Sequence, residues 1–237
     1  MKFDTAASTL LHGLAQKLMK DDEYEQFQII RSAKVPLIKL VEKSTGINFD
    51  ISFNKLDGVK QIKIVEEAYE LYPEMKYLIV VLKVMLRQRD LHETYHGGVG
   101  SFLLFCLVLT FLREIRKDFI ALGKKEEMQE LLLSDLLLLF FEFYGINFDV
   151  NSKAILIANG GAIVDKVEKD NSLSVISPQD ANHDIGGPSF RIKDVFGMFK
   201  NRYHFLTNYN FREGESFMQF LVDSDIVESW KQESKKK

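Results

Sequence analysis

The chain has 237 residues, 46% hydrophobic and 12% aromatic, which is the composition of a globular protein with room for one large domain or two small ones. Its formal net charge of −3 supplies no bulk attraction for nucleic acid and leaves only a local basic groove as a means of binding one. The single cysteine, Cys106, sits in an apolar run and excludes a disulfide within the chain, which suits the cytosol or the nucleus.

Leu10, Leu11, Leu14 and Leu18 recur at helical spacing and predict a helix over 6–20. Residues 25–41 change period: Phe27, Ile29, Val35, Leu37, Ile38, Leu40 and Val41 form short β-like runs broken at Val35-Pro36. In GINFDISFN (46–54), Ile47, Phe49, Ile51 and Phe53 alternate with Asn48, Asp50, Ser52 and Asn54, which predicts a strand with one apolar and one polar face. From Gly58 the pattern turns helical, with helices expected near 58–71, 74–91, 98–116 and 126–144. Tyr72-Pro73, His96-Gly97-Gly98 and the charged stretch 123–127 separate them. The apolar runs 102–112 and 131–141 are shorter than the ~20 residues a membrane span needs and read as buried core helices. Gly145 is expected to cap the last of these helices, with strand character over 147–157 and a loop with short strands over 158–188. Residues 189–206 and 214–232 read as helices, and the tail KQESKKK as a solvated basic terminus. No apolar signal segment stands behind a basic start, which predicts a chain that is not secreted.

A site that transfers phosphoryl groups with two metal ions needs about three carboxylates to clamp and partly neutralise them. Asp50, on the polar face of its strand, is a candidate member. The hexapeptide around it nearly recurs as GINFDV at 145–150, but only the first copy lies in an alternating strand, so Asp50 outranks Asp149. Asp21, Glu23 and Glu25 alternate, which could align them on one face of a strand, but they follow a helix and lack a Gly-Ser turn and an Asp-x-Asp pair, so they read as a solvated charged turn. Lys83 and Arg87 are one helical turn apart in YLIVVLKVMLRQRD, and two cations at that spacing can grip a triphosphate; the pattern equally describes a helix edge whose long side chains reach water. The run Gly97-Gly98-Val99-Gly100-Ser101 opens an apolar helix, where free N–H groups and the Ser101 hydroxyl form an anion site or, alternatively, a flexible turn with Ser101 near the N-cap. Phe102 could stack a base or simply join the core. The loop SPQDANHDIGGPSF (177–190) gathers Asp180, Asn182, His183 and Asp184 and can read a base edge. The remaining histidines show no metal-ligand spacing with Cys106, and there is no nucleophile elbow, P-loop or Rossmann fingerprint.

Together, AKVPLIKLVEKSTGINFDISFN (33–54), LKVMLRQRDLHETYHGGVGSFLLF (82–105), LLLLFFEFYGINFD (136–149) and HDIGGPSF (183–190) resemble the TRAMP-type poly(A) RNA polymerases, a noncanonical branch of the DNA polymerase β-like nucleotidyltransferases. The resemblance implies an α+β fold: a truncated nucleotidyltransferase palm sheet (1–57), a mainly helical central or PAP-associated domain (58–210), and a C-terminal helix with a basic tail (211–237). It implies Asp50 as a catalytic metal carboxylate, Gly58 against the nucleotide sugar, Lys83, Arg87 and Ser101 on the triphosphate, Phe102 on the base, and His183 and Asp184 in the base-recognition loop. The implied cofactor is Mg²⁺ or Mn²⁺ in the complete enzyme. The implied partners are ATP or UTP, an RNA 3′ end and, as in TRAMP-like complexes, a zinc-knuckle RNA-binding protein and a helicase, with a nuclear or otherwise cytoplasmic location and no membrane.

Three departures from the family pattern stand out. The Gly-Ser turn and Asp-x-Asp pair do not precede Asp50, so the chain is expected to be a fragment or a degenerate paralogue that transfers poorly alone. His183 stands where the family usually has Asn, as in uridylyl-transferring relatives, which leaves A and U both open. Ser177-Pro178 replaces an Asp-Pro whose acid orders the loop. The competing expectations are a non-catalytic RNA- or partner-binding module and an α-rich scaffold.

Overall fold

The computed structural model describes residues 5–31, 36–53, 57–158 and 160–236. The chain forms two bodies, Met1–Lys60 with Asp225–Lys237, and Gln61–Ser224. Against the boundaries expected at 57/58 and 210/211, the first falls inside helix α2 (Asp57–Leu71), and the second lies beyond residue 210 because the intervening aromatics pack on the helical body.

In the first body, α1 (Thr5–Leu18) is followed by β1 (Tyr24–Ile30), β2 (Leu37–Glu42) and β3 (Asn48–Ser52), an antiparallel sheet in the order β1-β2-β3. Leu11 and Ala15 of α1 are buried with Ile38 and Leu40 of β2, and Ile29, Ile51 and Phe53 pack around them. Because side chains alternate along a strand, the register places Gln28, Lys39 and Asp50 on the opposite, polar face. The polar face of β3 is therefore as expected, whereas its apolar face is only half covered: Ile47 and Phe49 are 53% and 42% exposed. β3 ends the sheet, and the buried cluster centres on Ile38 and Leu40 of the middle strand. At the other end, Gln26 adopts φ 54° and the β1–β2 register shifts between Glu25 and Gln28, a bulge that bends β1. Glu23 N–H donates to Asp21 Oδ1 at 3.1 Å, so Asp21 and Glu23 form the expected turn, whereas Glu25 lies in β1 and pairs with Val41. The final helix, α8 (Ser224–Lys236), continues through the KQESKKK tail to Lys236, where a frayed end was expected.

The second body is built around α4 (Ser101–Ala121). Every residue from Leu103 to Leu112 is buried, including Thr110, whose hydroxyl donates to the Cys106 carbonyl at 2.9 Å. This bears out the reading of 102–112 as a core helix; among the described residues no helix is long and apolar enough to cross a membrane. α3 (Met75–Arg87) packs on α4, as does α5 (Lys125–Gln129). α6 (Leu133–Glu142) follows, and where one helix over 126–144 was expected, the chain breaks before it. The Asp135 carboxylate accepts the Leu132 N–H at 2.9 Å and starts a new helix there.

A π turn, Phe143–Asn147, then leads out of α6. Gly145 is not a left-handed cap: a Cβ there would lie 2.5 Å from the Lys200 backbone nitrogen, so glycine is required by the close approach of α7 (Ile192–Asn208). Tyr144, fully buried, donates to the Leu107 carbonyl at 2.8 Å and joins Phe140, Phe148, Phe196 and Phe199 in a continuous cluster of tilted and edge-to-face rings. Strand structure in 147–157 is limited to β4 (Lys153–Leu156), which pairs antiparallel with β5 (Ala162–Asp165) and parallel with β6 (Ser174–Ile176). Asp149 accepts from Asn151 N–H and Ser152 Oγ and forms the turn into β4, unlike Asp50. The expected helix over 214–232 is two pieces, a 3-10 turn at Phe217–Phe220 and α8.

Candidate functional site

α3 stops because Asp90 takes the left-handed conformation at φ 52°, and the Leu91 and Asp90 N–H groups then close on the Leu86 and Arg87 carbonyls at 2.9 and 3.2 Å. The chain doubles back on itself: Gly98 N–H donates to Glu93 O at 2.9 Å and Val99 N–H to Leu91 O at 2.8 Å. Gly97 has φ 77°, and a Cβ on Gly98 would stand 2.4 Å from the Leu91 carbonyl oxygen. The glycines are therefore demanded by a tight, bonded turn. Gly100 is the N-cap of α4, its carbonyl accepting from Leu104 N–H at 2.9 Å. Ser101 is the first helical residue, not the cap, and it is exposed. The N–H groups of Ser101, Phe102 and Leu103 have no acceptor within the helix, so this end of α4 carries the positive pole of the helix dipole.

The 177–190 loop lies against this turn. Ser189, buried, donates its hydroxyl to Gly98 O at 2.8 Å, and Arg191 N–H donates to Gly97 O at 2.9 Å. Arg191 Nη1 adds a bond to Asp90 O at 3.1 Å. Asp184 is half-buried, and its Oδ1 accepts from the N–H groups of Val175, Gly186 and Gly187 at 2.9, 2.8 and 3.2 Å. That oxygen anchors the loop to β6. His183 is exposed at the loop tip, with its N–H and carbonyl fixed by Asp180 O and Ser177 N–H at 3.0 and 2.9 Å. The Ser177 hydroxyl accepts from Gln179 N–H at 3.2 Å and orders the loop start.

Lys83 and Arg87 are both exposed on α3, and Phe102 is half-buried with its ring stacked on Phe105, centroids 5.7 Å apart and planes 12° apart. The structure thus ties together the α4 start with Ser101 and Phe102, and the loop carrying His183 and Asp184. Of the residues that tie them, Ser189 stood only as part of the HDIGGPSF motif and Arg191 lay just outside it, singled out by no pattern. Their signal in the sequence was a hydroxyl and a cation just after Gly-Gly-Pro, with nothing local to say that they reach back to residues 97 and 98.

Asp50 and Gly58 belong to the first body. Gly58 lies in the first turn of α2. Asp50 is exposed and pairs with Lys39 across the β2–β3 ladder, Oδ2 to Nζ at 3.6 Å. Among the described residues no three His, Cys, Asp or Glu side chains gather as a metal site. One carboxylate with an ammonium beside it does not fit a two-metal centre.

Residues 2–69 match the family described as poly(A) RNA polymerase, mitochondrial-like, central palm domain, and residues 132–194 match Cid1 family poly A polymerase. Poly(A) RNA polymerase CID14 of Cryptococcus neoformans is 34% identical over 234 residues, covering 96% of this chain and 30% of its own. The solved polymerase core of TRAMP, a RNA surveillance complex, matches with a TM-score of 0.74 at 27% identity, covering 91% of this chain and 71% of that one. The inactive non-canonical poly(A) RNA polymerase protein Trf4-2 of Drosophila melanogaster is 28% identical over 231 residues, covering 91% of this chain and 52% of its own. The chain spans about a third of the length of the first curated relatives, at 30%, 35% and 36%.

Proposed function

The chain belongs to the noncanonical poly(A) RNA polymerases, and from that premise we propose that it supplies the nucleotide-holding and helical parts of a template-independent RNA 3′-end nucleotidyltransferase using ATP or UTP. The observation that carries the proposal is the bonded turn at 97–101, which presents three free N–H groups and the Ser101 hydroxyl at the start of α4 and is tied to the loop bearing His183. Helix N-termini favour phosphate, and the exposed Lys83 and Arg87 on α3 add positive charge that can neutralise a triphosphate. Phe102, with one face on Phe105, is placed to extend the stack onto a base. His183 offers ring nitrogens to a base edge, and Asp184 holds the loop in position for it.

In the reaction this family performs, the primer 3′-hydroxyl attacks the α-phosphate and pyrophosphate leaves. A divalent cation, Mg²⁺ or Mn²⁺, would be held by Asp50 together with further carboxylates, which the described residues do not gather. The same premise proposes an RNA 3′ end as acceptor, a zinc-knuckle protein and a helicase as partners, and the nucleus as the location.

The Lys39 ammonium beside Asp50 supports a second reading, a nucleotide- or RNA-binding module without turnover. Primer extension by the purified chain with Mg²⁺ or Mn²⁺ separates the two, since robust tailing excludes the second. Nucleotide holding is tested by thermal stabilisation with ATP or UTP. At ten times Kd it should amount to about 1.4 kcal/mol. Lys83→Ala should remove most of that shift without changing the melting temperature of the free chain, because Lys83 is exposed. A full shift retained in both Lys83→Ala and Ser101→Ala would overturn the proposal.

A further inference from the structure

Past the last turn of α3, Gln88 and Arg89 meet Arg202 of α7 and the segment 219–224 around a cavity of about 480 Å³. Its wall is clamped: Gln88 Nε2 donates to Asp223 O at 2.9 Å, and Asp223 N–H donates to Gln88 Oε1 at 3.3 Å. Arg89 is half-buried and spends one donor on Met85 O at 3.1 Å. Arg202 is also half-buried, and the ion pairs among the described residues include neither arginine. Among the described residues of the lining, Asp223 is the one acid beside two arginines. Burial first, and the charge of Arg202 second, pull the Arg89 guanidinium below its ordinary value. Two like charges drawn partly out of water raise each other's energy, and a bound anion relieves both.

A second observation says what kind of anion. Phe220 lines the cavity and also packs on Phe205, Tyr209 and Phe211, with centroids 5.4, 4.6 and 5.7 Å away. Phe205 and Phe211 remain 39% and 43% exposed. Phe205 is stacked on Tyr209 and Phe211 on Phe217, yet both keep exposed surface. Cations linked through Phe220 to part-exposed rings match single-stranded nucleic acid, whose phosphates need charge and whose bases need a flat apolar surface. An acidic peptide would use the arginines and leave the rings idle.

We infer that the cleft between Arg89 and Arg202 is a second anion site, which takes a backbone phosphate of single-stranded RNA while a neighbouring base stacks on Phe205 or Phe211. The lining of the cleft, Gln88, Arg89, Arg202 and 219–224, does not include Lys83, Arg87, Ser101 or Phe102. The choice of RNA as the ligand rests on the proposed function.

The test is fluorescence anisotropy of a short labelled oligoadenylate titrated with the whole chain at several salt concentrations. Arg202→Gln should weaken binding about tenfold and flatten the dependence of log Kd on log salt by about one. Arg202→Lys should restore the salt dependence. Phe211→Ala should weaken binding about tenfold and leave the salt slope alone. ATP-dependent thermal stabilisation should persist in all three; its absence from the parent chain, with Arg202-dependent RNA binding intact, would count against the proposed function and not against this cleft. If Arg202→Gln does not fold, Phe205→Ala and Arg202→Lys decide. The inference is overturned if the parent chain does not bind the RNA, or if Arg202→Gln leaves affinity and slope unchanged. It is likewise overturned if polyglutamate competes as well as RNA while Phe211→Ala has no effect.

Discussion

Substituting Gly98 by alanine probes the turn at the start of α4 more directly than changing any charged residue. The new Cβ would lie 2.4 Å from the Leu91 carbonyl oxygen and 2.5 Å from its carbon. Ordinary contact at 3.4 Å requires that carbonyl to retreat by about 1 Å. The same carbonyl accepts the Val99 N–H at 2.8 Å, so the retreat lengthens a bond that sets the entry into α4. Backbone cannot swing aside as the exposed Phe190 ring beside Gly97 can. Overpacking of this kind costs about 1–3 kcal/mol, and at about 2–4 °C per kcal/mol for a chain of this size the melting temperature should fall by about 2–12 °C. Because the free N–H groups of Ser101, Phe102 and Leu103 move with the turn, the stabilisation by ATP should fall by more than half. Scanning fluorimetry with and without ATP reads both numbers. Gly187→Ala is the control, since its Cβ would meet only Asp184 O, at 4.0 Å. A Gly98→Ala chain that melts with the parent and keeps the whole ATP shift would refute the reasoning.

Asp184→Ala should strip the N–H groups of Val175, Gly186 and Gly187 of their acceptor and cost about 2–3 kcal/mol; hydrogen exchange at these amides should accelerate, and unchanged protection would contradict the anchoring role. The Asp170 carboxyl is held down to about 2, from an ordinary value of 3.8, chiefly by the Lys166 ammonium and then by the Ser172 hydroxyl. Its contribution to stability is therefore complete above pH 3.8 and lost as pH falls toward 2. An NMR titration of the Asp170 carboxyl should show a midpoint near the lower value, and one at the ordinary value would dismiss the bond.

The parts of the fold that were legible beforehand are those where pattern and burial coincide. Leu103–Leu112 is apolar but for Thr110 and is buried all round. The period of two around Asp50 did mark a strand, though Ile47 and Phe49 show that an alternating pattern does not guarantee a cover for its apolar face. The break before α6 was hidden because leucines continue through it, and only the Asp135 bond to Leu132 N–H reveals the new start. Gly145 looked like a cap because glycine after a helix usually is one, whereas its reason lies at Lys200, far along the chain. In the site, charge and glycine content pointed to Lys83, Arg87 and the 97–101 turn. Asp184 sat in a polar loop that suggested base reading, and its work for the backbone depends on pairing with β6, which no local pattern announces.

The bonds from Ser189 and Arg191 to the carbonyls of Gly98 and Gly97 make two distant stretches of sequence one mechanical part. Under the proposed function, a ligand that draws the histidine loop inward would tug on the amides at the head of the central helix, and a ligand seated on those amides would steady the loop in return. Affinity at either end would then be thermodynamically linked to the other by the same factor. Discrimination between one base and another would consequently be felt in how firmly the phosphate tail is gripped, through two hydrogen bonds that touch neither.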